Sequence, residues 1–495
     1  MLEHAIPALV QILSFPTIWF LIGGALLGFL FGILPGLSGP QVLALLLPVT
    51  FAMDSGQAIV MLMGAAGATA FGGSVTAILI NAPGTAQSAA TVFDGYALTR
   101  KGQAGYAIGA AAAASVLGAI VGAAILTLSL PLGRQLVLAF SFPEYFMLSI
   151  MGLAMIAILA QGNPWKAILA AGFGFSLSFI GIDQQSGTIR YTFGWDYLWD
   201  GIKLVPVIIG LFAIAEAISL MSTRGAISRE RPNTTLSGIF SGIGAVFQNF
   251  GLFLRSALIG TVIGIIPGVG GAVANFVAYG NAVATARDKS GFGKGDIRGV
   301  IAPEAANNAK DGGALVPTLI FGIPGSLEMA VLLGALTLHG INPGPRLMLD
   351  HGNVALLLIY ALVLSNIVVG IVGIAIAKPL TYLTSLRTVL IAPIIMVLGL
   401  VGAYATNGYI EDVIIALALG VIGYLMMRFN YSRIALLIAL VLGPLLQNSF
   451  HQTNDLWGPV GFFNRPISLG LFAITVLILC LPGLLKLIRR ARSTP

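Results

Sequence analysis

Apolar runs of about 20 residues, each long enough to cross roughly 30 Å of hydrocarbon, recur from one end of this sequence to the other. Segments 5–34, 58–80, 104–130, 204–222, 236–266, 354–377 and 467–488 are among them. Backbone in lipid has no water to bond, so a spanning chain is limited to helices or a closed barrel. The alternating ten-residue strands of a barrel are not seen. Charged residues make up 9% of the chain, against about 25% in a soluble domain. That is too little polar surface to coat a water-soluble globule of 495 residues, 57% of them hydrophobic. The expected fold is an all-α polytopic membrane protein of about 10–12 transmembrane helices, some broken or re-entrant.

The formal charge of +7 (25 basic, 18 acidic) reads as loop bias at a membrane, with the lipid bilayer as partner and no nucleic acid. The single cysteine, Cys480, excludes an intrachain disulfide and a cysteine-rich metal site. "MLEHAIPALVQIL" lacks a basic n-region and a small-residue cleavage site, so the N-terminus is expected to be retained.

Proline and glycine interrupt the apolar pattern in pairs. "GFLFGILPGLSG" (28–39) aligns with "GTVIGIIPGVGG" (260–271), and "TAILINAPGT" (76–85) with "PTLIFGIPGS" (317–326). A Gly-Gly pair precedes each second break, Gly72-Gly73 and Gly312-Gly313. Two ordered matches indicate a duplication. The expected organisation is a first half at 1–222, a second at 236–450, and a C-terminal loop and helix at 451–495. Basic residues suggest the halves are inverted. "MDSGQ" (53–57) has no Lys or Arg, while its counterpart 286–298 has Arg287, Lys289, Lys294 and Arg298. After the second break the bias reverses: "DGYALTRKG" (94–102) has Arg100 and Lys101, and 339–352 only Arg346. The positive-inside rule then puts 287–298 and the terminal "KLIRRAR" (486–492) in the cytoplasm and 53–57 outside.

Interrupted segments at matching places in two halves point to a transporter's binding site. A break frees carbonyls that can hold Na⁺ and exposes N–H groups and a positive helix end that suit a carboxylate. The plainer alternative is a kink or tight packing. The candidate substrate or ion residues are Pro35, Gly36, Ser38 and Gly39; Asn81, Pro83, Gly84 and Thr85; Pro267, Gly268, Gly270, Gly271 and Asn275; and Pro324, Gly325 and Ser326. Small polar side chains there supply oxygens, or serve as helix–helix glue. A Cβ at Gly84 or Gly325 is expected to harm transport more than folding. "IAPEAANNAKDGGALVPTL" (301–319) adds Asn307, Asn308 and Lys310, with Glu304 and Asp311 beside them. Asn307 and Lys310 share a helix face. Lys310 attracts an anion or pairs with Asp311 or Glu304. Glu216, alone on an apolar helix, reads as structural, paired with or snorkelling toward Arg224.

No catalytic pattern competes. The histidines (His4, His339, His351, His451) form no HExxH, and no GxSxG or phosphate loop occurs. "GKGD" (293–296) lies in a basic loop without a partner aspartate. The chain reads as neither an enzyme nor a holder of a fixed metal or cofactor.

"GILPGLSGP", "GGSVTAILINAPGT", "DGYALTRKG", "GVIAPEAANNA", "PTLIFGIPGS", "LHGINPGP" and "LVLGPLLQNSFHQ" together resemble, in that order, the large membrane subunit of tripartite tricarboxylate transporters, the TctA family. The resemblance runs from about residue 15 to 480, nearly the whole chain. "GAAGATAFGG" (64–73) departs from the family's bulkier, tyrosine-bearing version. The resemblance implies a secondary carrier of citrate or other organic acid anions in the bacterial inner membrane. It also implies Na⁺ as coupling ion, a small second membrane subunit and a periplasmic solute-binding protein. A passive organic-anion channel and a non-transporting assembly subunit are the alternatives.

Overall fold

A computed structural model describes residues 2–34, 37–81, 83–159, 164–183, 185–222, 238–267, 270–344, 347, 352–383 and 388–477. Helices dominate. They are α1 Leu2–Leu13, α2 Thr17–Ile33, α3 Gly39–Leu46, α4 Ser55–Ile80, α5 Val92–Arg100, α6 Ala104–Ala139, α7 Phe142–Leu159, α8 Pro164–Leu177, α9 Leu204–Ile208 and α10 Ala215–Ser222. They continue as α11 Ile239–Gln248, α12 Phe250–Ile265, α13 Gly270–Thr285, α14 Arg298–Phe321, α15 Leu327–Leu338, α16 Gly352–Leu383, α17 Thr388–Asn407, α18 Ile410–Arg428, α19 Arg433–Trp457 and α20 Pro466–Leu477. A two-residue strand pair, Gly181–Ile182 with Ile189–Arg190, is the sheet among the described residues.

Contacts divide the chain into two compact units, Met1–Arg134 with Ile208–Val421, and Gln135–Val207 with Ile422–Pro495. The repeat divides the sequence, whereas the units divide contacts, and both halves contribute to each unit. In the smaller unit α19 packs on α7 and α8. There Arg465 pairs with the buried Glu144 at 2.8 Å. The candidate residues lie in the larger unit.

Five helices among the described residues are long and apolar enough to cross a membrane: Ser55–Ile80, Ala104–Gly133, Leu204–Ser222, Gly352–Ile376 and Ile410–Arg428. Two bent pairs, Ala5–Leu13 with Thr17–Ile33 (72°) and Ile239–Gln248 with Phe250–Ile265 (81°), raise this to seven. Further apolar runs are short, split or partly polar among the described residues, and run 467–488 extends beyond them. Runs 40–52 and 166–182 form helices too short to cross alone. Run 314–338 is split between α14 and α15. The 24 residues of α14 extend about 36 Å, enough to cross, but its buried polar row removes the apolar signature.

Glycines bring the helices of the larger unit close. Gly24, Gly28 and Gly32 recur down α2, and a Cβ on each would strike the backbone of Met61, Ala65 and Thr69 on α4. In the second half Gly260 and Gly264 of α12 lie likewise against the backbone of Ala306 and Lys310 on α14. The return contacts match too: Gly72 faces the Phe29 carbonyl, and Gly313 the Thr261 carbonyl. These pairs coincide in the repeat alignment. Stripes of small residues let helix backbones approach closely in membranes. Both α2–α4 and α12–α14 therefore run parallel within their pairs.

The equivalent helices α4 and α14 meet in opposite order. Ile78 shares a core cluster with Val300, Ser74 reaches Glu304, and Gly67 and Asn308 both meet Asn366 of α16. The two basic loops gather at one end of α4. There the buried Asp94 carboxylate accepts the backbone N–H groups of Gly295 and Asp296, both at 2.9 Å, and the Tyr279 hydroxyl at 2.9 Å. Burial pushes the Asp296 carboxyl up, but hydrogen bonds from Arg298 more than offset it and hold it below the usual carboxylate range. At the far end of α4, about 39 Å away, the chain before Ser55 meets the chain after α15, with His339 Nε2 3.0 Å from Thr50 Oγ1.

Candidate functional site

Each break follows from its proline. The residue before a proline is pushed out of the helical region. Leu34, before Pro35, ends α2 at φ −86° and ψ 111°, and Ile266, before Pro267, ends α12 at φ −83° and ψ 108°. Pro35, Gly36 and Gly268 lie outside the described residues; Pro267 is buried. The second breaks match in another way. Asn81 ends α4 and Gly322 ends α14, both left-handed, at φ 58° and 71°. Glycine and asparagine are the residues that adopt this conformation readily. Asn81 is thus a helix cap with an exposed side chain. Pro83 is half-buried and Pro324 buried.

The chain restarts on polar caps. Ser38 precedes α3, its N–H and hydroxyl both donating to Gln41 Oε1, at 3.0 and 2.6 Å. Ser326 precedes α15 and accepts the Met329 N–H at 3.3 Å. Thr85 precedes a 3₁₀ turn at Ala86–Ala89, with Oγ1 3.0 Å from Ser88 Oγ. Gly270 opens α13 at φ 76°, where a side chain would be strained. Of these three side chains, Ser326 is the one that satisfies an N–H group its helix start leaves free.

The breaks meet. A Cβ on Gly84 would strike the Gly32 carbonyl at the end of α2, joining the first two breaks. One on Gly39 would strike Glu328 in the first turn of α15, and one on Gly271 would strike Lys310 and Gln87. Gln87 joins the remainder. Its Nε2 donates to Glu328 Oε1 at 2.9 Å, and its carbonyl accepts Asn275 Nδ2 at 2.6 Å. Lys310 forms a buried ion pair with Asp311 rather than Glu304, and the charge of Glu328 acts on both. Depth follows from helical rise. Gly32 abuts Thr69, about 21 Å along α4, and Gly264 abuts Lys310, about 18 Å along α14. Each level is close to halfway along its helix.

Other candidates stand apart from this centre. Asn308 donates to Asn366 on α16. Asn307 is fully buried and neither of its amide atoms has a partner. Asn275 Oδ1 is likewise unpartnered. Glu216 accepts from Gln41, the residue that caps α3, at 3.4 Å, while Arg224 lies outside the described residues.

Reading the residues one at a time missed Gln87, Glu328, Gln41 and Asn366. For two of them the signal was present. Extending the alignment of "APGT" with "IPGS" by two residues puts Gln87 opposite Glu328. Equivalent residues of the two halves thus bond to each other.

The model of the tripartite tricarboxylate transporter TctA family matches residues 18–438. An uncharacterized 52.8 kDa protein in the TAR-I ttuC' 3' region of Agrobacterium vitis is 32% identical over 472 residues, covering 94% of this chain and 93% of its own. A second A. vitis protein, uncharacterized and in the TAR-II ttuC' 3' region, is 29% identical over 230 residues, 46% of this chain and 95% of its own. No solved structure matches. With a family match over most of its length, this chain belongs to the tripartite tricarboxylate transporter TctA family.

Proposed function

We propose that this chain is the large permease subunit of an ion-driven carrier that takes up tricarboxylates or other organic acid anions across the bacterial inner membrane. It works with a small membrane subunit and a periplasmic solute-binding protein, and Na⁺ drives it. The observation that carries this reading is the meeting of four helix restarts beside Lys310, halfway along α4 and α14. Helix N-termini offer free N–H groups and positive dipole ends to a carboxylate. Irregular backbone at that depth is tolerated where it is enclosed in protein or lines a wet cavity. Lys310, Asp311 and Glu328, all ionised, sum to −1. An organic anion entering such a centre is therefore favoured when cations enter with it, which supports symport over passive flow. The opposed order of contacts along α4 and α14 supports an inverted repeat, with one half's hairpin entering from each face.

Proteoliposomes test this. The chain alone should give little uptake. Adding the small subunit, a liganded binding protein and an inward Na⁺ gradient should give concentrative uptake of the acid. Equal, gradient-independent flux from the chain alone would overturn the reading in favour of a pore.

Topology is checked separately. In a background with Cys480 replaced, single cysteines at the exposed positions Ser55 and Ser290 should label from opposite sides with an impermeant reagent, Ser55 from outside. Labelling of both from one side would end the inverted-repeat reading.

A further inference from the structure

Glu304 belongs to no ion pair among the described residues, yet it is 0% exposed on α14. Its carboxylate is enclosed by hydroxyls from three other elements. Thr91, at the start of α5, donates to Oε1. Ser115 of α6 donates to Oε2 at 3.1 Å. The Ser74 hydroxyl of α4 is a further polar neighbour of the carboxylate. One turn along α14, on the same face, is Asn307, whose buried amide oxygen and nitrogen both lack partners. A carboxylate taken out of water without a counter-charge is costly, and hydrogen bonds alone do not neutralise it. An unpartnered buried amide carries its own penalty. The carboxylate and the amide oxygen are both relieved by one guest that carries a single positive charge and accepts oxygen ligands.

We infer that Glu304, Thr91, Ser115, Ser74 and the Asn307 amide form a binding site for a monovalent cation, Na⁺ in the first instance. The donor set is all oxygen, as hard cations require. It contains one carboxylate, which balances one charge and not two. The site is separate from the Lys310 centre but wired to it. Ser74 Oγ donates to Ser88 Oγ at 3.3 Å, and Ser88 Oγ is 3.0 Å from Thr85 Oγ1. Thr85, Ser88 and Thr91 belong to the same short limb that presents Gln87 to Glu328 and Asn275. A cation held by Thr91 and Ser74 fixes that limb, and with it one wall of the proposed anion site. This gives the carrier reading, on which the coupling role rests, a physical link between ion and substrate.

The test uses the purified full chain in detergent, without substrate or partner subunits. Binding of ²²Na⁺ and the thermal midpoint are measured against NaCl, with KCl and choline chloride at equal ionic strength. Wild type should bind Na⁺ saturably and be stabilised by it. Glu304→Gln keeps the size and removes the charge, and Na⁺ binding should be lost. Ser115→Ala and Thr91→Val each remove one hydroxyl ligand, and each should weaken Na⁺ binding by about 2- to 13-fold, the equivalent of one hydrogen bond. They carry the test should Glu304→Gln fail to fold. Unchanged Na⁺ affinity in the folded variants overturns the site. So does a wild type stabilised by acid but not by Na⁺, because the carboxyl then takes a proton instead. Binding is read without transport, so the two proposals fail separately. Na⁺ binding without any uptake in the full system sinks the carrier and leaves the site, and Na⁺-driven uptake in Glu304→Gln sinks the site and leaves the carrier.

Discussion

Lys310→Met should remove uptake and also destabilise the protein, by about 3–5 kcal/mol, the usual cost of breaking a buried ion pair from one side. Lys310 and Asp311 are both 3% exposed, so water cannot relieve the carboxylate left behind. Glu328, already acting on both, makes that position worse. The informative variant is the double one, Lys310→Met with Asp311→Leu. Replacing both charges by apolar groups of similar volume is often neutral or stabilising. The double variant should therefore recover most of the thermal midpoint while uptake per folded protein stays down by about 10- to 150-fold, the equivalent of a lost hydrogen bond to a charged group. Were uptake to return with stability, Lys310 would be a structural partner of Asp311 and the anion centre would lie elsewhere.

How much of this was legible in the sequence depended on range. The breaks were legible because proline and glycine act on their own neighbours. Leu34 and Ile266 are extended for a reason contained in the next residue. Asn81 was legible in kind but not in role. As a polar residue beside a break it reads as a candidate oxygen ligand, and the structure adds that it ends α4 in the left-handed conformation, as the aligned Gly322 ends α14. What could not be read was which polar groups meet across the chain. Asn366 sits in an ordinary apolar helix, and only the approach of α14 to α16 makes it the partner of Asn308. Glu216 reads as a candidate for a nearby arginine, while its partner Gln41 is far away in sequence. The pairing of Gln87 with Glu328 is the intermediate case. It is distant along the chain, but the repeat makes the two equivalent.

Gly84→Ala and Gly325→Ala should each reduce both folded protein and transport, so the expected harm to transport comes with a cost to folding. The reason lies in what the added methyl meets. At Gly84 it would strike the Gly32 carbonyl and come within 2.8 Å of Gly73 Cα and 2.9 Å of Thr76 Oγ1. At Gly325 it would come within 2.6 Å of Ala314 Cα and 2.9 Å of its carbonyl carbon. Backbone cannot turn aside as a flexible side chain can. Overpacking of this kind costs typically about 1–3 kcal/mol, and more where backbone must move. Gly280 on α13 supplies the contrast: it is exposed, its Cβ would meet nothing within 4 Å, and Gly280→Ala should be neutral or stabilising by up to about 1 kcal/mol. Thermal midpoints and uptake normalised to folded protein separate the two effects. Because the hairpin after Gly84 carries Gln87 and the one after Gly325 carries Glu328, moving either backbone also pulls apart the contact that joins the two halves. Wild-type midpoints in both variants would mean the breaks are not held against α4 and α14 as described, and the convergence of the four restarts on Lys310 would lose its support.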